Sequence, residues 1–254
     1  MTVLPLTPAV PHQAYWLPDL EWGRAMWHAH TSYTFAVHVV DFDEVMGVAG
    51  LVLHGETALL DLLYVRPDEI CRGLGTAMLL ALLAKADELG YPVVANVPPD
   101  AVRFLEKHGF AKQEELLRCT GGKFYQATRD EVVLAEPVHY MAMAHLDRRA
   151  FGEERRTWLV EHSYIASAYV DGDRVRGFAI PLLRDALIVA DAPDVGLELQ
   201  RWVFPTQEHL IIPASNTVAL QHMKERAYTT SVEAVRMVRG KAPVFNGAMV
   251  YAHP

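Results

Sequence analysis

Residues 62–90 read "LLYVRPDEICRGLGTAMLLALLAKADELG". An apolar strand ends near Val65, a short polar turn with Gly73 and Gly75 follows, and a helical pattern then runs to Gly90. Leu79, Leu82, Leu83, Ala86 and Leu89 recur at helical spacing, and Gly90 before Pro92 marks the stop. The pattern predicts a helix over 72–90. A strand that enters a helix through glycines presents unpaired backbone N–H groups at the positive end of the helix dipole, which suits a phosphate or pyrophosphate. Glycine lets a ligand approach the backbone and supplies φ > 0 where the turn needs it. A tight connection that binds nothing is the other reading of a lone Gly-x-Gly. The Walker A pattern is absent, because no Gly-Lys-Ser/Thr occurs here. The dinucleotide fingerprint fails as well, since Met78 stands where its third glycine would fall.

Working outward, strands are expected at 33–41, 44–55, 58–65, 91–97 and 111–122, with Asp100 capping a helix over 101–109. A similar order returns in the second half. "EVMGVA" (44–49) matches "RVRGFA" (174–179) at an offset of 130, and "AVRFLEKHGF" (101–110) matches "ALQHMKERAY" (219–228) at an offset of 118. The second copy is therefore 12 residues shorter between its anchors, and the missing part falls on the glycine turn and the helix after it. The expected division is 1–130 and 131–254, joined near 128–136. A charged amphipathic helix over 145–162, with Leu146, Phe151, Trp158 and Leu159 as its apolar members, is read as a packing surface.

The segment "LYVRPDEICRGLGTAML", followed by "AVRFLEKHGF", resembles the GCN5-related N-acetyltransferases, abbreviated GNAT. The resemblance covers roughly residues 33–120, and the second half resembles a degenerate copy without the pyrophosphate loop. It implies an α/β fold (α+β mixed sheet) of two tandem acyl-CoA N-acyltransferase-like domains. In that family a bulged strand ends in a turn written Q/R-x-x-G-x-G/A, whose amides hold the pyrophosphate of acetyl-CoA. The turn maps onto Ile70, Cys71, Arg72, Gly73, Leu74 and Gly75, continuing into Thr76. The strand end that offers main-chain groups to the pantetheine arm maps onto Leu63, Tyr64 and Val65. The family's "FYEKLGF" signature maps onto Phe104–Phe110.

Four positions depart from the family pattern. Ile70 replaces the leading Gln or Arg, leaving Arg72 as the charged contact, and Cys71 stands where many members have glycine. Leu105 replaces a Tyr that returns a proton to the CoA thiolate; Tyr64 or a water would substitute. Pro98 replaces an Asn, which the second copy keeps as Asn216. Asp61 is the first choice for the base that deprotonates the acceptor amine. It lies two and four residues before Leu63 and Val65, and alternation puts all three on one face. A structural carboxylate is the competing reading of Asp61. His54 and Glu56 are weaker choices. Trp16, Trp22 and Trp27, beside Asp19 and Glu21, either hold a cationic amine or fill the core.

The net charge of −8 is uneven: residues 1–100 carry twelve Asp/Glu against Arg24, Arg66, Arg72 and Lys85. An acidic surface disfavours nucleic acid and suits a cationic partner, although it serves solubility equally well. No apolar run is long enough to span a membrane and no basic leader is visible, so a cytoplasmic home is expected. Cys71 and Cys119 are expected as free thiols, without metal-ligand spacing. The expected activity is direct acetyl transfer from acetyl-CoA to a primary amine on a small molecule or peptide. The rival is a non-catalytic acyl-CoA-binding or scaffold protein. A homodimer is compatible with the sequence, which fixes no oligomeric state.

Overall fold

The computed structural model describes residues 2–5, 34–41, 44–123, 130–182 and 185–254. The chain forms two compact units, Met1–Asn96 with Val238–Ala242, and Val97–Met237 with Pro243–Pro254.

In the first unit, β1 (Thr2–Pro5), β2 (Thr34–Asp41), β3 (Glu44–His54), β4 (Thr57–Val65) and β5 (Val93–Val97) lie side by side in that order. The first four pair antiparallel, and β5 runs parallel to β4. The crossover between β4 and β5 is α1 (Leu74–Leu89), which buries Leu74, Met78, Leu79, Leu82, Leu83 and Ala86. Gly47 on β3 lets this helix come close. A Cβ there would lie 2.6 Å from Met78 Cε and 2.9 Å from the Tyr64 carbonyl oxygen. The helix begins two residues later than its pattern predicts, because Cys71 and Gly73 take positive φ of 71° and 81°. Gly90, at φ 71°, ends it as expected.

In the second unit, α2 (Val102–Glu106) precedes β6 (Ala111–Thr120), which pairs antiparallel with β11 (His209–Pro213) and neighbours β12 (Thr229–Arg239). A strand of the first sequence repeat thus pairs with a strand of the second, so repeats and compact units divide the chain differently. A further sheet has the order β13-β10-β9-β8-β7, built from β7 (Val132–Leu134), β8 (Ser167–Asp171), β9 (Arg174–Pro181), β10 (Ala186–Ala190) and β13 (Val250–Ala252). On one face, α5 (Pro193–Val203) and α6 (Thr217–Glu225) bring Val195, Leu199, Val203, Ala219 and Met223 against Ala179 and Ile188. On the other, α3 (Pro137–Phe151) and α4 (Arg156–His162) bring Met143, Leu146, Phe151, Trp158 and Leu159 against Phe178, Leu187 and Val189.

The repeat is visible in the packing. Gly177 of β9 corresponds to Gly47, and a Cβ there would meet Val195 Cγ1 at 2.8 Å and Leu199 Cδ1 at 2.9 Å on α5. Each copy thus uses a strand glycine to seat its crossover helix. Two expectations need correction. The helix over 145–162 is broken at Gly152, whose φ of 68° ends α3, and its charged residues Asp147 and Arg155 are a buried ion pair rather than a solvated face. Asp100 makes no capping hydrogen bond; it sits in a short 3₁₀ turn before α2.

Candidate active site

Asp61, Leu63–Val65 and Ile70–Thr76 lie on one continuous stretch, from β4 to the first turn of α1. Two features of β4 open this stretch. Its parallel pairing with β5 covers Ala58↔Val93, Leu59↔Val94 and Leu60↔Ala95 and then stops. Against β3, Leu60 faces Leu51 and Leu62 faces Gly50, so Asp61 is an extra, bulged residue. Beyond it, Leu62, Leu63, Tyr64 and Val65 resume regular pairing with Gly50, Ala49, Val48 and Gly47. The bulge corrects the expected alternation: Asp61 stands outside the regular series of Leu63 and Val65, because the extra residue resets the phase of side chains.

Asp61 is exposed on β4, yet desolvation by its surroundings pushes its carboxyl up to about 6. The two observations pull apart, since contact with water screens a charge while dense surroundings desolvate it. The upward direction follows from desolvation as the leading cause, with no hydrogen bond or ion pair among the described residues to offset it. Leu63 and Val65 are half-buried and Tyr64 is exposed. His54 and Glu56 lie at the β3–β4 hairpin turn, the end of β4 away from the glycines.

The turn is held by ion pairs. The Arg66 backbone N–H donates to the Met46 carbonyl, and its guanidinium binds Glu44 at 2.8 Å, Asp68 at 2.7 Å and Glu69 at 3.2 Å. Arg72 pairs with the other oxygen of Glu69. Three carboxylates therefore surround two guanidiniums, so side-chain charge alone does not make this turn a cation. Any attraction for an anion must come from the helix amides.

Those amides are available. The first intrahelical bond is from the Ala77 N–H to the Gly73 carbonyl, at 3.0 Å. The N–H groups of Leu74, Gly75 and Thr76 therefore have no acceptor within the helix, Gly73 offers no side-chain cap, and the first turn holds no acidic residue. Among the described residues, a Cβ on Gly73 would meet nothing within 4 Å, and one on Gly75 only Val65 Cγ2 at 3.6 Å, so these leave the mouth open. Ile70 and Cys71 are exposed beside it, while Leu74 is buried and anchors the helix. These groups fit a pyrophosphate.

Phe104 belongs to α2 in the second unit, half-buried with its ring 4.8 Å from that of His108. Leu105 is 1% exposed. Trp16, Trp22, Trp27, Asp19 and Glu21 lie outside the described residues. Asn96, the residue after the last β5 rung, went unnoticed in the sequence; a polar side chain ending the apolar run "VVANV" was its signal.

The sequence pattern of the acetyltransferase (GNAT) family matches residues 3–110. No curated protein matches the chain at a significant level. Among solved structures, a Pyrococcus horikoshii protein provisionally assigned as an acetyltransferase matches with TM-score 0.81 and 18% identity, over 99% of this chain and 93% of its own. A tandem GNAT protein from the clavulanic acid biosynthesis pathway matches with TM-score 0.62 and 12% identity, over 95% and 99%. A GCN5-related N-acetyltransferase from Sphaerobacter thermophilus matches with TM-score 0.59 and 15% identity, over 97% and 98%. At these identities the likeness is one of fold. The chain is a mixed α/β protein whose fold is similar to that of a tandem GNAT protein. No helix among the described residues is long and apolar enough to cross a membrane.

Proposed function

We propose that this protein is an acetyl-CoA-dependent N-acetyltransferase that passes the acetyl group directly to a primary amine on a small molecule or peptide. The observation that carries the reading is the unbroken run from bulge to helix: a strand that parts from its neighbour at Asp61 leads into an open turn with three free amides. Acetyl-CoA would supply the activated acyl group. The amides of Leu74, Gly75 and Thr76 would hold its pyrophosphate, and the free edge of Leu63, Tyr64 and Val65 would take its arm. Gly73 and Gly75 keep side chains out of that path.

Asp61 is the base in this reading. A carboxyl with a pKa of about 6 is ionised at neutral pH, yet basic enough to take a proton from the bound acceptor ammonium, directly or through water, so that the free amine can attack the thioester carbonyl. Tyr64, exposed three residues further along β4, is the candidate acid for the departing thiolate. The acidic excess of residues 1–100 favours a cationic acceptor.

A second reading, an acyl-CoA-binding protein without transfer activity, has one observation in its favour. The position where the family resemblance expects a proton-donating Tyr is Leu105, buried in an apolar setting. Asp61→Asn separates the two, since it should abolish transfer and leave binding intact.

The first experiment is thermal unfolding with and without acetyl-CoA. Ligand at 100 times its Kd stabilises the folded form by about 2.7 kcal/mol, which gives a clear rise in Tm. Gly73→Glu should erase that rise, because its carboxylate would enter the open mouth. Gly172→Glu is the matched control, as that turn glycine has a similar φ of 59° and equal free space. No rise at millimolar acetyl-CoA in the wild type would end the proposal.

A further inference from the structure

Of the three carboxylates at the turn, Glu44 and Asp68 are exposed, whereas the Glu69 side chain is only 13% exposed. One Glu69 oxygen takes the Arg66 guanidinium at 3.2 Å, and the other takes Arg72. Arg72 directly precedes Gly73, the residue that caps α1, and its side chain is 53% exposed. The guanidinium nearest in sequence to the open amides of Leu74, Gly75 and Thr76 is thus turned back onto a carboxylate of the chain. An anion seated on those amides and the Glu69 carboxylate would compete for one donor.

The two repeats separate this pair from the ion pair that serves the fold. In the first, Glu44 at the start of β3 binds Arg66 just after β4, and the Arg66 N–H donates to the Met46 carbonyl. At the 130-residue offset, Glu44 becomes Arg174 and Met46 becomes Arg176. Arg174 binds Asp191 just after β10, and the Asp191 N–H donates to the Arg176 carbonyl. The same strand ends are closed by the same pair with its charges exchanged, so either polarity suits the fold. The Glu69–Arg72 pair has no such counterpart, because Asp191 and Ala192 alone join β10 to α5. It occurs in the copy with the glycine mouth and is missing from the copy without one.

We propose that Glu69 sets the affinity of this mouth for the acyl donor, by holding Arg72 until a phosphate of the donor displaces the carboxylate. This rests on the acetyl-CoA reading above. When the donor arrives, Arg72 exchanges Glu69 for the pyrophosphate; when CoA departs, Arg72 returns. The carboxylate that weakens binding therefore also helps the spent CoA to leave. Glu69 touches no reacting atom and is a positioning residue for Arg72.

The test is calorimetric titration of acetyl-CoA into wild type, Glu69→Gln, Asp68→Asn, Arg72→Met and the double variant of Glu69→Gln with Arg72→Met. Glu69→Gln should tighten acetyl-CoA about two- to fivefold, the scale of one surface ion pair no longer competing. Asp68→Asn removes an equal charge from the same turn, but from Arg66 rather than Arg72, and should shift affinity by less. In the Arg72→Met background, the gain from Glu69→Gln should disappear. Without ligand, Glu69→Gln should melt at or slightly below the wild-type Tm. Tighter binding without added stability is not expected of a carboxylate that merely braces the turn. Unchanged or weaker acetyl-CoA binding in folded Glu69→Gln overturns the proposal, as does a gain matched by Asp68→Asn or one that survives in Arg72→Met. The acetyl-CoA reading stands in each of those cases. If wild type binds no acetyl-CoA, that reading itself has failed.

Discussion

At the scale of single residues, the turn carries its own strain. Cys71 has φ 71° where a side chain is disfavoured, and its thiol is exposed and free. Glycine tolerates this conformation at the cost of a more flexible unfolded chain. Cys71→Gly should therefore stabilise the protein by about 0.5–1 kcal/mol, read as a higher urea midpoint with unchanged slope. Asp61 gives a second residue-scale prediction. Its carboxyl titrates near 6 in the folded chain against an ordinary value of 3.8, so between those values the folded state holds more protons than the unfolded one. Stability must then fall as pH rises through that window. Asp61→Asn should gain stability relative to wild type from pH 4 to 6, hold the gain at pH 7.5, and show none below 3.8. Transfer to an identified amine should drop about 10²–10⁴-fold in the same variant. An equal gain at every pH would mean that Asp61 is not desolvated. The family resemblance implies a bulged strand and a glycine at position 71, but that the bulge falls at Asp61 and that Cys71 takes a positive φ depend on how β4 meets its neighbours.

At the scale of elements, the sequence was most legible where periodicity and glycine spoke together. α1 and the strands before it follow from the helical spacing of Leu79, Leu82, Leu83 and Ala86 and from the turn signals around them. The repeat was legible through "EVMGVA" and "RVRGFA", whose shared glycine proves to be a packing requirement. Gly47→Ala and Gly177→Ala should each destabilise by about 1–3 kcal/mol, since the added methyl overlaps a strand carbonyl as well as helix side chains. Chemical denaturation of both variants checks this; a neutral Gly177→Ala would mean that α5 can retreat from its strand. Legibility failed for elements of three or four residues. β1, β7 and β13 are too short to show alternation, and their strand character comes from the partners they pair with. The charged segment over 145–162 misled for a related reason: charge reads as exposure until a partner is seen, and Asp147 meets Arg155 across a helix break.

At the scale of the whole molecule, the two copies keep one architecture and differ in chemistry at the same topological place. Between β4 and α1 lies an eight-residue turn with open glycine and free amides, whereas Asp191 and Ala192 alone join β10 to α5. Pro193 opens α5 without an N–H to offer, and Asp194 sets a carboxylate in its first turn. An anion finds donors at the first helix and repulsion at the second. β13 then occupies the edge of β10, pairing Ala252 with Ile188 and Val250 with Val189, where an extended arm would otherwise lie. A pocket of about 260 Å³ does remain beside these residues, lined in part by Asp191, Asn216 and Tyr251. It borders the filled gap without reopening it, and Asn216 is already committed to capping α6 and to the carbonyls of Ala248 and Val250. The chain should therefore bind one acetyl-CoA, at the first copy. Calorimetric titration or native mass spectrometry of the full chain should give one equivalent in the wild type and none in Gly73→Glu. Two equivalents, or one that survives Gly73→Glu, would put a donor site in the second copy, and would mean that β13 yields to ligand rather than closing the gap against it.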